Sequence, residues 1–169
     1  MANAIFMKIE GVDGECRESG HEDWIQINGI SHNLAANIDR VAASGSGGHA
    51  VGATEHGDLL VTKVLDKSSL PIMSKCCAGQ SFGTIEIEMM TATAGAEATP
   101  SQRFLSIVMN DVLISSVTYS DSSDQPGRPA ESIGLNYKKI EWTYTPYDDS
   151  GSALGDITKY WDCKANTGG

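Results

Sequence analysis

The chain has 169 residues, 40% of them apolar and 20% charged, and a formal net charge of −10. That length suits a single domain over residues 1–169, large enough to bury a core without disulfides or metal. The acidic balance argues against a basic face for nucleic acid or anionic membranes, and no apolar run approaches the roughly 20 residues that cross a bilayer.

Ala4 to Glu10 alternates through Ile5, Met7 and Ile9, as a strand does. Lys8 breaks its apolar run and no basic segment precedes it, so a cleavable signal is not expected and the protein is expected to fold in the cytoplasm. Thiols stay reduced there, and Cys16, Cys76, Cys77 and Cys163 read as free. A turn at 11–15 leads to a second alternating segment, Trp24 to Ile30, and a third strand is expected over Asp58 to Leu65. Between them the interval from Asp39 to Gly52 reads as an extended loop, densest in glycine from Ser44 to Gly52. Fixing such a loop costs roughly 1–2 kcal/mol per residue of backbone entropy, and a long loop in a small domain is usually functional or disordered.

Asp66-Lys67-Ser68-Ser69 offers N-cap residues, Pro71 fits a first turn, and Leu70, Met73 and Cys77 follow helical spacing before Gly79. This predicts one short helix from about Ser69 to Ala78. Strands are then expected over Gly83 to Thr91 (Ile85, Ile87 and Met89 inward, Glu86 and Glu88 outward), Arg103 to Asn110 and Val112 to Ser120. Pro126-Gly127 and Pro129 mark a turn. Six of the eleven aromatics lie between Tyr137 and Trp161. They sit on alternating segments (Ile133, Leu135, Tyr137; Ile140, Trp142, Tyr144), and a turn-rich break over Tyr147 to Gly155 precedes a last strand, Ile157 to Cys163. An amphipathic β-hairpin closing the chain is predicted. Alternation with charged outward positions gives a mainly β fold, a two-sheet antiparallel barrel or sandwich with one flanking helix.

Gly79-Gln80-Ser81-Phe82-Gly83 matches the G-x-S-x-G pattern of serine hydrolases. That elbow needs a strand before the serine and a helix after it, whereas here the order is reversed and all four histidines (His21, His32, His49, His56) precede Ser81. Gly45-Ser46-Gly47 completes neither phosphate-cradling motif. Cys16 with His21, or His49 with His56, falls short of four convergent zinc ligands, and Asp148, Asp149 and Asp156 lack calcium-loop spacing. The residues point to no catalytic, cofactor or metal site, and the chain is not expected to be an enzyme.

The order and wording of several segments resemble the haemolysin-coregulated (Hcp) proteins of type VI secretion systems. The likeness runs through Phe6 to Glu15, His21 with Trp24-Ile25-Gln26-Ile27, Ser31-His32, Leu65 to Ser69, Val112 to Val117 and Glu131 to Asn166. The chain departs from it in the glycine-rich loop, in Ala92 to Pro100, and in Leu70 before Pro71. The resemblance implies a tube subunit: a homohexameric ring, rings stacked into a hollow tube, a spike protein at its tip, a contractile sheath around it, and effectors in the lumen. It also implies export through the apparatus without a signal peptide. It places Ser31 towards the lumen, and it assigns Ser44, Gly45, Gly47, Gly48, His49, Val51 and Gly52 to a loop that joins adjacent rings. A phage-like tail tube protein and a cytoplasmic β-barrel binding module remain the alternatives.

Overall fold

The computed structural model describes residues 4–39, 50–91, 102–121 and 127–169. The alternating apolar segments form β1 (Ala4–Ile9), β2 (Ile25–Ile27), β3 (Gly29–Ser31), β4 (Leu34–Asp39), β5 (Ala50–His56) and β6 (Leu59–Val64). After α1 (Ser69–Ala78) come β7 (Phe82–Thr91), β8 (Gln102–Ser120), β9 (Ala130–Asn136), β10 (Lys139–Tyr144), β11 (Ile157–Asp162) and β12 (Thr167–Gly168). All strand pairings among the described residues are antiparallel.

Two sheets face each other across one core. The first runs β12-β11-β10-β8-β7-β1-β2; the second joins the far half of β8 to β9, β9 to β6, and β6 to β3. Two chain segments belong to both sheets. On one side β2 passes into β3 at Asn28, whose N–H donates to the Thr62 carbonyl (2.7 Å) and so begins the ladder with β6. On the other side β8 pairs with β10 over Leu105 to Asn110 and with β9 over Leu113 to Ser120. The pair of expected strands on either side of Asp111 is therefore one 19-residue strand. Its backbone turns at Asp111 (φ +53°), a conformation that aspartate tolerates better than most side chains. The partner chain bends at the same level: Tyr137 and Lys138 lie between β9 and β10, and the Lys138 ammonium pairs with the Asp111 carboxylate. Tyr137, expected on a strand, is thus an elbow residue.

The core holds Met7, Ile9, Ile25, Ile85, Ile87, Met109 and Ile140 from the first sheet, and Leu59, Val61, Ile133 and Leu135 from the second. Each is at most 2% exposed, as strict alternation requires. A bulge at Met89/Met90 shifts the pattern, so that Met90 is the buried one of the two. On the outer side of the first sheet, the 13–24 segment folds back over Phe6, and the His21 ring stacks on that phenyl at 4.2 Å.

The helix spans its predicted limits. Gly79 closes it in the left-handed conformation (φ +62°), with its N–H donating to the Cys76 carbonyl. The Ser68 side chain makes no cap to the first turn. Instead the Asp66 carboxylate accepts from the Ser68 N–H (2.9 Å) and hydroxyl (2.5 Å). Burial alone would raise that carboxyl, but hydrogen bonds from Lys63 and Ser68 outweigh it and hold the carboxyl below its usual range. Beneath the helix start lies a polar cluster that alternation gives no hint of. Lys63, 1% exposed, donates to Asp66 Oδ1 (2.7 Å), Ser69 Oγ (3.0 Å) and the Val64 carbonyl (3.0 Å). Its ammonium also lies 3.6 Å from Glu131 Oε2, which accepts the Ser69 hydroxyl at 2.5 Å. The cluster ties β6, α1 and β9 together.

At the C-terminal end, the expected closing hairpin is β10 with β11, in register from Lys139↔Asp162 to Tyr144↔Ile157. The break between them is organised by Asp148, whose Oδ1 accepts from the N–H groups of Ser150 and Ser152 (2.9 Å each). The bond from the Ser150 hydroxyl, with these backbone bonds, holds its carboxyl below the usual range. This turn carboxylate is engaged with its own loop.

Candidate assembly surfaces

The interval expected to be loop is in part a β-ribbon. Among the described residues β4 and β5 pair only with each other, from Leu34↔His56 to Asp39↔Ala50, and join neither sheet's ladder. Val51 and Gly52, assigned to the joining loop, are strand residues of β5; Ser44, Gly45, Gly47, Gly48 and His49 lie outside the described residues. The alternation that would have revealed the ribbon is diluted by its small and polar residues, and a bulge between Ala36 and Ile38 breaks its period. Leu34 and Ile38 are 48% and 55% exposed on it. A two-stranded ribbon is marginal by itself, so its attachment to the body matters.

That attachment is a cluster at the ribbon's base. The Gly57 N–H donates to the Asn33 carbonyl at 2.9 Å and closes the end of the ladder. His32, just before β4, and His56, the last residue of β5, both reach the Tyr137 hydroxyl: His32 Nε2 and His56 Nδ1 each lie 2.7 Å from it. The His56 ring also stacks on Trp161, with centroids 6.1 Å apart and planes 19° apart. Burial pushes the Tyr137 hydroxyl well above its usual value, with the charges of Cys163 and Asp58 acting in the same direction. Burial lowers both histidines; for His32 the His56 ring adds to this, and a hydrogen bond with the Gly57 backbone partly offsets it. These three residues are far apart in sequence, and no motif links them.

The second surface is the outer side of the β3-β6-β9-β8 sheet. Ser31 stands on it, exposed and opposite Leu60 at the sheet's edge. The register places Ser31 beside Leu60, Thr62 and Val64 of β6, then Gly134 and Ser132 of β9, then Ser116 and Thr118 of β8. None of these is charged, whereas Lys63 and Glu131 of the same strands point inward to the cluster under the helix. The result is an uncharged patch of small, hydroxyl and aliphatic residues, Leu60 and Val64 among them, on a chain of net charge −10.

The remaining candidates from the sequence are accounted for by packing. Ser81 lies between α1 and β7; its carbonyl accepts from Lys75 (3.0 Å) and its hydroxyl bonds to Asp111. The described histidines are engaged elsewhere, His21 with Glu88 at 2.8 Å and the other two with Tyr137. Cys16, Cys76, Cys77 and Cys163 are free thiols.

Comparison with known proteins places the chain in a family. The sequence pattern described as "Type VI secretion system effector, Hcp" matches residues 6–144. Two proteins of Pseudomonas aeruginosa are similar over nearly their whole length. "Protein hcp1" is 29% identical and aligned over 98% of both chains; "Major exported protein" is 26% identical, over 90% of this chain and 95% of that one. A solved "type six secretion system protein" superposes with a TM-score of 0.88 at 30% identity, covering 99% of this chain and 100% of that chain. Hcp1 of Salmonella typhimurium shares the fold, with a TM-score of 0.78 at 24% identity over 99% of each chain. A match over most of the chain in sequence and in fold has one reading: the chain belongs to the Hcp family of type VI secretion systems.

Proposed function

We propose that this Hcp-family tube subunit of a type VI secretion system closes into rings of six, that the rings stack axially through the β4–β5 ribbon, and that the neutral sheet face carrying Ser31 lines the lumen. The observation that supports the axial role is the ribbon's isolation: among the described residues it pairs with neither sheet, and it exposes Leu34 and Ile38. An open ribbon edge carries unpaired N–H and C=O groups, which a neighbouring copy can complete. Repeated head-to-tail contact along an axis gives an open filament, whereas contact around a ring closes. A lumen wall without charge lets acidic and basic cargo pass alike, since neither is trapped or repelled over the short screening distance in salt. On this reading the tube carries effectors, ends in a spike protein, is driven by a contractile sheath and leaves the cell as a structural part with no catalysis of its own.

Replacing residues 40–49 with a short turn keeps the β4–β5 ladder and removes whatever extends beyond it. Rings that form normally but no longer stack into tubes or support export are the expected result. Intact tubes and normal export from the shortened chain would reassign the axial joint elsewhere.

A further inference from the structure

The ribbon base has an internal logic of protons. A phenol carries one hydrogen and can donate only once, yet the Tyr137 hydroxyl sits 2.7 Å from two imidazole nitrogens. While both rings are neutral, one histidine donates to the oxygen and the other accepts from it, and a ring exchanges these parts by moving its hydrogen between its two nitrogens. Each ring then makes one bond to the hydroxyl, and the whole is uncharged.

We propose that this cluster is a proton-operated latch: once His32 and His56 are both protonated, both ring nitrogens at the Tyr137 hydroxyl are donors, its hydrogen has no acceptor in the pair, and the β4–β5 ribbon is freed from the body of the subunit. A proton on one ring alone leaves the other neutral, and the neutral ring accepts from Tyr137. Two protons set two cations around one oxygen in a partly buried site. The other ionisable groups facing the cluster are Asp58 and Cys163, which act on Tyr137, and Asp162, which acts on Cys163. Asp58 is itself held by the Asn136 amide at 2.8 Å. Burial lowers both histidines in the closed state. The sign follows: the latch is fully present above about pH 6.5, the value of a free histidine, and is lost as the pH falls below it. The latch belongs to the single chain and does not depend on the ribbon's role in stacking.

Hydrogen–deuterium exchange of the full-length protein, corrected for intrinsic rates, tests this directly. The ribbon amides should exchange faster at about pH 5 than at about pH 8, because both histidines bind protons more readily in the open state than in the closed one. The β7 and β1 amides should stay protected at both. Tyr137→Phe and His32→Gln should each leave a ribbon whose corrected exchange no longer depends on pH. NMR titration of the wild-type His32 ring gives a check that needs no variant: its midpoint should lie under that of a free histidine. Equal ribbon protection at the two pH values, a pH dependence that survives in Tyr137→Phe, or a His32 midpoint above that of a free histidine would each overturn the latch.

Discussion

Replacing Lys63 by methionine tests the reading of the polar cluster under α1. The substitution keeps most of the apolar stem and its packing, since volume-conserving changes are well tolerated; what it removes is an ammonium 1% exposed. Three hydrogen bonds go with it, to Asp66, Ser69 and the Val64 carbonyl, along with the charge 3.6 Å from Glu131. Glu131 is 2% exposed and, among the described residues, keeps the Ser69 hydroxyl as its sole donor, so its charge is left without compensation. Breaking a buried pair from one side costs about 3–5 kcal/mol, which for a domain of this size lowers the melting temperature by about 6–20 °C. Urea unfolding followed by tryptophan fluorescence measures it, at one protein concentration because assembly adds to apparent stability. The double variant Lys63→Met with Glu131→Gln should recover about half the loss or more, because no unpaired charge stays buried. A single variant within about 1 kcal/mol of wild type, or a double variant no better than the single, would refute the reasoning.

Ser31→Gln, at an exposed edge position, should change stability by no more than about 0.5 kcal/mol and leave rings intact while lowering the amount of effector recovered with the tube; unchanged cargo in a secreting strain would move the lumen to another face. Ser81→Ala should leave assembly unaltered, and a serine-reactive phosphonate should leave Ser81 unlabelled, because its hydroxyl bonds to Asp111 and no described histidine engages it.

The fold was legible wherever burial follows a strict period. Ile85 and Ile87 on β7, Ile133 and Leu135 on β9, and the helix from Ser69 to its Gly79 stop all follow from local pattern and local chemistry. The sequence misleads where structure depends on distant partners. Asp111 looks like a break between two strands, yet it bends one strand, and the reason is the Lys138 elbow of the partner segment 27 residues away. The ribbon was hidden because β4 and β5 bury little and so carry little alternation. Ser31 was singled out by resemblance alone, while the neutral face around it emerges only when β3, β6, β9 and β8 are put in register. His32, His56 and Tyr137 became one cluster only through the fold; no spacing rule joins residues 105 and 81 positions apart.

The proposed tube is built from one repeating subunit of 17.9 kDa. Multi-angle light scattering of the purified protein, with negative-stain microscopy of the same sample, reads its ring mass and its symmetry together. Annular particles of sixfold symmetry and a mass about six times that of the chain are expected for the proposed closed ring. Only monomer at micromolar concentration, with no rings on the grid, would contradict it.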